Sequence, residues 1–434
     1  MTRAFDADFG LHQLSRADLC TLGRERLLAG HLQDRGSIPA VLRHHPMDEA
    51  YEIAIEEWMT ASPVYTRRIQ RLLGFAGDDV TTIFKGLQLD IGFPHQFMDV
   101  GYELHSRDRG EFWLRTCGAL ADVMPMGEGF VHGMCHTIED PTFDATAVAT
   151  NPRAQVRPIH RPPGIPRGGP ACHWTVLIDP QHNPVEPHPR LAQMQRSVLA
   201  GLPNDPVDTL EPGGWPDYSG AFEPDFELEH LSHRALQIAV REFAIQGHLL
   251  ARALMLAVDH HDSPDRAVEA GRALFTGIAW IAAERIHRAL GTGDDLAGLA
   301  NTLQMTHLLG PVDYAGLTVT MPDADTVTLT LSPHAGGLAE GDPYSLPGLL
   351  RIGSHEIVEA LVHGVNPAAT VSHPEPSDSN HAETWTITAP PDAKPASEPA
   401  EVRTMRFSTG PASVLIRRRP LITGSGPVAP SPAP

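Results

Sequence analysis

The strongest constraint on this chain is that its sequence is written twice. Leu14-Ser15 returns as Leu231-Ser232, Arg24-Glu25 as Arg241-Glu242 and Gly30-His31-Leu32 as Gly247-His248-Leu249, all at an offset of 217. Ile69, Arg71 and Gly74 return as Ile286, Arg288 and Gly291 at that same offset. Small deletions then shift the register: Gly77-Asp78-Asp79 matches Gly293-Asp294-Asp295, Leu87-Gln88 matches Leu303-Gln304, Gly101 matches Gly316 and Asp108 matches Asp323. Asn151-Pro152 and Trp174-Thr175 find partners in Asn366-Pro367 and Trp385-Thr386. The chain therefore holds an internal duplication of about 170 residues. Two long units are too few for a solenoid. The expected fold is α+β, with two pseudo-equivalent lobes of helices packed on a small, mostly antiparallel sheet. Residues 1–180 form the first repeat, 181–229 a proline-rich acidic linker, 230–390 the second repeat and 391–434 a proline-rich tail.

Within the first repeat the apolar spacing predicts a helix from Leu14 to Leu32 with Ser15 as N-cap. A second helix is predicted from Met47 to Leu73, with a break at Ser62-Pro63, since proline disfavours helix interiors. A short helix follows Gly77-Asp78-Asp79. Asp99–Leu104 and Glu111–Cys117 read as a hairpin, Pro125–Ile138 as a helix closed by the turn at Glu139-Asp140-Pro141, and Ala154–His160 and Cys172–Ile178 as two further strands. The tail reads as solvated, with a strand or docking segment at Met405–Arg419 as the alternative.

Net charge is −20 over 434 residues, which argues against nucleic acid as a partner. No apolar run reaches the roughly 20 residues that span a bilayer, so no membrane partner is expected. The N-terminal stretch lacks the apolar core of a signal peptide, which points to the cytoplasm. Cysteines there are thiols or ligands more often than disulfides.

The duplication supplies its own comparison. Cys117, Cys135 and Cys172 fall on Ser332, Leu350 and Glu383, and His136 and His173 fall on Arg351 and Thr384. The first half alone carries the cysteine set, so function is expected there, with the second half completing the core or walling a pocket. His31 and His248 occur in both halves and read as structural.

Three chemistries fit the stretch Phe112–Asp179. Thiolate and imidazole suit zinc or iron, and Cys117, Cys135 and Cys172 lie on three different elements that can converge, with His136, His160 or His173 as a fourth ligand. An open coordination position would then activate water. Alternatively, Cys135, or equally Cys117 or Cys172, is a nucleophile activated by His160 or His173, with Asp140 or Asp144 orienting the imidazole. In the third reading the cysteines are buried and inert, and pack as small hydrophobes. There is no P-loop, nucleophile-elbow serine or HExxH zinc motif. Arg157, Arg161 and Arg167 are candidates for a substrate carboxylate or for plain solvation of a loop.

The order Leu114-Arg115-Thr116-Cys117, then Met134-Cys135 with Asp140, then Cys172-His173-Trp174-Thr175-Val176 resembles the L-2-amino-thiazoline-4-carboxylic acid hydrolase-like family. It is also similar to the 4-vinyl-reductase-type ligand-binding domains. The first resemblance implies hydrolytic opening of a small ring containing sulfur and nitrogen. The second implies binding of a small, often hydrophobic ligand, with or without a cysteine-bound metal. The Pro/Gly loop Arg161–Pro170 and the fused second copy depart from both patterns.

The expectation is thus a hydrolase of a non-peptide C–N or C–S bond in a small molecule. Cys135, His136, Asp140 and His160 are its catalytic candidates, and Cys117, Cys135, Cys172 and His173 a zinc or iron set. A sensor that binds a metal or ligand without turnover is the alternative.

Overall fold

The computed structural model describes residues 4–406 apart from 96, 205, 209 and 374–380. Each half opens with two long helices, the first of which starts at a serine cap. Ser15 accepts the Asp18 N–H at the head of α1 (Arg16–Val41), and Ser232 accepts the Ala235 N–H at the head of α8 (His233–His261). The second helices are α2 (Met47–Leu72) and α9 (Pro264–Leu290). The expected break at Ser62-Pro63 does not occur: α2 runs through it, because both residues are buried in the helix packing and tertiary contacts override the local preference. A third helix follows in each half, α3 (Val80–Leu87) capped by Asp79 and α10 (Leu296–Met305) capped by Asp295.

The sheets repeat as well. In the first half β1 (Met98–Leu104), β2 (Arg109–Cys117), β3 (Ala154–His160) and β4 (Cys172–Ile178) form an antiparallel sheet in the order β1-β2-β4-β3. In the second, β5 (Leu317–Asp323), β6 (Thr326–Leu331), β7 (Thr370–Ser372) and β8 (Glu383–Thr388) take the same order, β5-β6-β8-β7. Trp174 and Trp385 lie at equivalent places on β4 and β8, both fully buried. The chain is therefore α+β with two lobes of one topology.

Short helices join the middle strands. In the first half these are α4 (Gly118–Val123), α5 (Glu128–His132), a π-helical turn at Gly133–Ile138 and α6 (Glu139–Val148). The second half has α11 (Val312–Ala315) before its sheet, and α12 (Leu346–Arg351) and α13 (Glu356–His363) between β6 and β7. The turn expected at Glu139-Asp140-Pro141 is instead the first turn of α6. Pro141 follows directly on the π-helical turn Gly133–Ile138, where the helical hydrogen-bond ladder changes register.

The lobes do not sit apart. α1 packs on both α8 and α9, and α2 packs on α8, so each half lends its long helices to the other's core. The described residues of the segment 181–229 are bound against both halves, Val198 and Leu199 donating their N–H groups to Glu340 of the second. The segment includes α7 (Leu191–Gln195), its Tyr218 is fully buried and bonds Gln88, and Arg68 donates to the carbonyls of Ala200 and Leu202. After the second repeat, residues 400–406 are helical. Met405 is buried against Gly36 of α1 and Gly277 of α9, where any side chain would collide with it. The rest of the expected segment Met405–Arg419 lies outside the described residues.

Candidate functional site in the first half

Strand alternation sorts the candidate residues onto two faces of the first sheet. On β4, Cys172 and Trp174 face inward while His173 between them faces out. β3 carries a bulge between Pro158 and His160, which brings His160 opposite His173. The two rings then meet edge to face at 5.9 Å on the outer surface, where Glu111 Oε2 stands 3.0 Å from His173 Nε2. Strand alternation alone puts His173 on the face opposite Cys172, and the bulge on β3 turns His160 out to join it.

The other two candidates are also engaged elsewhere. His136 Nε2 is 2.7 Å from the Pro162 carbonyl oxygen, and its ring stacks on His132 at 4.6 Å. Asp140 accepts two hydrogen bonds from Arg161, whose guanidinium lies 5.7 Å from the Trp174 ring centre. Neither residue orients an imidazole toward a thiol.

The inner face does gather Cys117, Cys135 and Cys172, all buried and free, around Glu139. Cys117 ends β2 and caps α4, its Sγ accepting the Leu120 N–H at 3.3 Å. Cys135 lies in the π-helical turn and not at a helix C-terminus, because the helical path continues into α6. Burial and the nearby Glu139 push the Cys117 thiol up to about 12, and burial raises Cys135 and Cys172 further still. All three are therefore thiols at neutral pH. Among the described residues, the set of three donors whose ligand atoms approach within 4.8 Å of one another is Glu56, His260 and His261, which could hold a metal ion. The set Cys117, Cys135, Cys172 and His173 is not drawn together in that way.

Beside the thiols lies a pocket of about 80 Å³ bordered by Arg35, Trp58, Phe93, Glu139, Phe143 and Cys172. Its aromatic wall continues the packing of Phe112 and Trp174 against Phe143. Glu139 is part-buried with Oε2 sealed from solvent and without a hydrogen-bond partner. Burial outweighs the pull of Arg161 and Arg35 and raises its carboxyl to about 8. Arg35 bonds Asp34, which also accepts Trp58 Nε1–H at 2.9 Å. Arg35 Nε has no hydrogen-bond partner. Glu57, fully buried with both oxygens unpartnered, is held well above the carboxylate range by burial and by Asp34.

None of Arg35, Asp34, Glu57 or Trp58 stands out from motif reading, because each sits inside a long helix. The duplication did carry the signal: at the offset of 217 Asp34 falls on Ala251, Glu57 on Leu274 and Trp58 on Phe275, while Arg35 falls on Arg252. Glu139 falls on Ser354. The first half thus places acids where the second half uses small or apolar residues. What the arrangement offers is an apolar slot with a guanidinium, a proton-bearing carboxyl and a thiol on its wall. Comparison with protein-family models, curated proteins and solved structures finds no match.

Proposed function

We propose that this pocket takes a small molecule bearing a carboxylate and an apolar or aromatic ring, and that the chain hydrolyses a non-peptide C–N or C–S bond in it. The observation that carries the reading is Glu139, a carboxyl raised to about 8 on the wall of the first-half pocket and replaced by Ser354 in the second half. A carboxyl poised near neutral pH is suited to general acid catalysis. In this reading Arg35 meets the substrate carboxylate, and the rings of Trp58, Phe93 and Phe143 cover the apolar part. Water adds to the carbon, the C–N or C–S bond breaks, and the departing nitrogen or sulfur takes the Glu139 proton. The proton lost by water then restores the carboxyl. This is the reaction class that the resemblance to the thiazoline-carboxylate hydrolases implies.

The test is a panel of five-membered thiazoline and related ring carboxylates, with released thiol or amine as the readout. The expected result is turnover by the wild type that falls about 100-fold in Glu139→Gln, the scale of a lost general acid. Arg35→Met is expected to raise KM. Absence of turnover and of binding across the panel, or undiminished turnover in Glu139→Gln, would overturn the proposal.

The gathering of three thiols around Glu139 favours a second reading, a zinc- or iron-bound sensor without turnover. A divalent ion would displace the thiol protons and draw the sulfurs in. Metal content measured on Cys117→Ser and Cys172→Ser beside the wild type separates the two readings.

A further inference from the structure

We propose that Glu56, His188, His260 and His261 form a closed transition-metal site, best suited to zinc, that staples the inter-repeat segment to both halves. Glu56 comes from the middle of α2, His260 and His261 from the last turn of α8, and His188 from the stretch before α7. All three imidazoles converge on one oxygen. Glu56 Oε2 lies 2.9 Å from His260 Nδ1, 3.3 Å from His261 Nε2 and 3.8 Å from His188 Nε2. Donors held roughly 2.0–2.1 Å from a tetrahedral zinc stand about 3.3–3.4 Å apart. Glu56, His260 and His261 have donor atoms all within 4.8 Å of one another, and His188, outside that group and 3.8 Å from Oε2, moves in to complete the set when the ion binds. The other carboxylate oxygen, Oε1, is 3.4 Å from Arg190 Nε, which leaves Oε2 for the histidines and fixes the plane of the group.

The surroundings favour a cation. Glu56 is buried, and the Arg190 guanidinium stands at its Oε1, which leaves Oε2 facing the imidazoles. The helix C-terminus of α8 adds its partial negative charge on the same side. The fold itself does not demand the set: at the offset of 217, Glu56 falls on Ala273, and Arg43 and His44 stand where His260 and His261 do. With four protein donors the site has no open position, so it is structural. It lies apart from the Cys172 pocket, and neither its existence nor its test depends on turnover there.

The experiment is zinc titration of the chelator-stripped full chain by calorimetry, repeated on His188→Ala and Glu56→Gln, with a parallel cobalt(II) spectrum of the wild type. The expected result is one equivalent bound, at least tenfold more weakly in each variant, with a zinc-dependent rise in Tm that each variant diminishes. The cobalt form should show visible d–d bands without thiolate charge transfer. Absence of zinc binding, binding unchanged in both variants, or a thiolate charge-transfer band on the single equivalent would overturn the assignment.

Discussion

Arg68 of α2 grips Glu242 of α8 through two hydrogen bonds of 2.9 and 2.8 Å, and the duplication repeats this pair with the halves exchanged. Adding 217 to Arg68 gives Arg285, and adding it to Glu25 gives Glu242. Arg285 indeed holds Glu25 at 2.7 and 3.2 Å. Residue i of one half meets j of the other while j meets i, which is the mark of a two-fold interface. The two halves are thus related as subunits of a homodimer joined into one chain.

The pairs differ in burial, so they differ in consequence. Arg68 and Glu242 are 5% and 0% exposed at their side chains, while Arg285 and Glu25 are 18% and 16% exposed. Arg68→Met leaves a sealed carboxylate without its main cation and should cost about 3–5 kcal/mol. Arg285→Met lets water reach Glu25 and should cost about 1 kcal/mol. Urea unfolding of both variants measures the difference; equal losses would show that the symmetric positions are energetically equivalent despite their burial.

Glu139 makes stability depend on pH in a definite direction. Its folded carboxyl lies at about 8 against an ordinary 4.5, so the folded state holds a proton that the unfolded state has released between those values. The contribution is fully present below the unfolded value and is lost as pH rises through 8, at up to about 1.4 kcal/mol per pH unit. Its partial exposure brings the real slope below that ceiling. Glu139→Gln cannot ionise, so its stability should fall less than that of the wild type between pH 5 and 9. Parallel denaturation curves across that range would remove the buried-acid assignment.

The fold was legible where a local rule and the repeat agreed. Ser15 as a cap, the short helix after Gly77-Asp78-Asp79, the hairpin of β1 and β2, and the limits of β3 and β4 all follow from residue pattern. The absence of the three cysteines from the second half singled them out in the sequence, but not which groups surround them. His160 was misplaced because a bulge is a one-residue event that no periodicity announces, whereas the alternation of β4 already sets His173 on the face opposite Cys172. The acids at Asp34, Glu57 and Glu139 hide inside helices, where a polar residue on a buried face looks like one on a solvated face until the packing is known.

The raised thiols make a kinetic prediction. The thiolate is the reactive form, and burial suppresses it at Cys117, Cys135 and Cys172. Cys20 is likewise buried and pushed up to about 12. At pH 7.5 the native chain should react with a disulfide reagent at all four cysteines far more slowly than a free thiol does. Denaturant should release four equivalents at once. One native cysteine that reacts at the free-thiol rate would restore the nucleophile reading for that residue.

The outer-face histidines offer a control for the pocket. The side chains of His160 and His173 stand on the opposite face of the sheet from Cys172, so His160→Ala with His173→Ala should leave ligand binding and turnover at the pocket within about twofold of the wild type. Steady-state assays on the ring-carboxylate panel decide this. A loss comparable to that of Glu139→Gln would mean that the chemistry uses the outer face.

Glu57 tests whether the first half gives up stability for its pocket. It is fully buried, neither carboxyl oxygen has a hydrogen-bond partner, and the second half places Leu274 at the same position. An unsatisfied buried polar group costs about 1–3 kcal/mol, and leucine is the solution the other copy already uses. Glu57→Leu should therefore raise stability by about that amount in urea unfolding. The gain should be larger at pH 9 than at pH 5, because the raised carboxyl stabilises the folded state least when the unfolded chain can ionise it. If the acid serves the pocket through Asp34 and Arg35, the same variant should lose ligand affinity while gaining stability, the usual trade at functional sites. A variant that is destabilised at both pH values would instead make Glu57 part of the structural core, with a partner that it meets as the protonated acid.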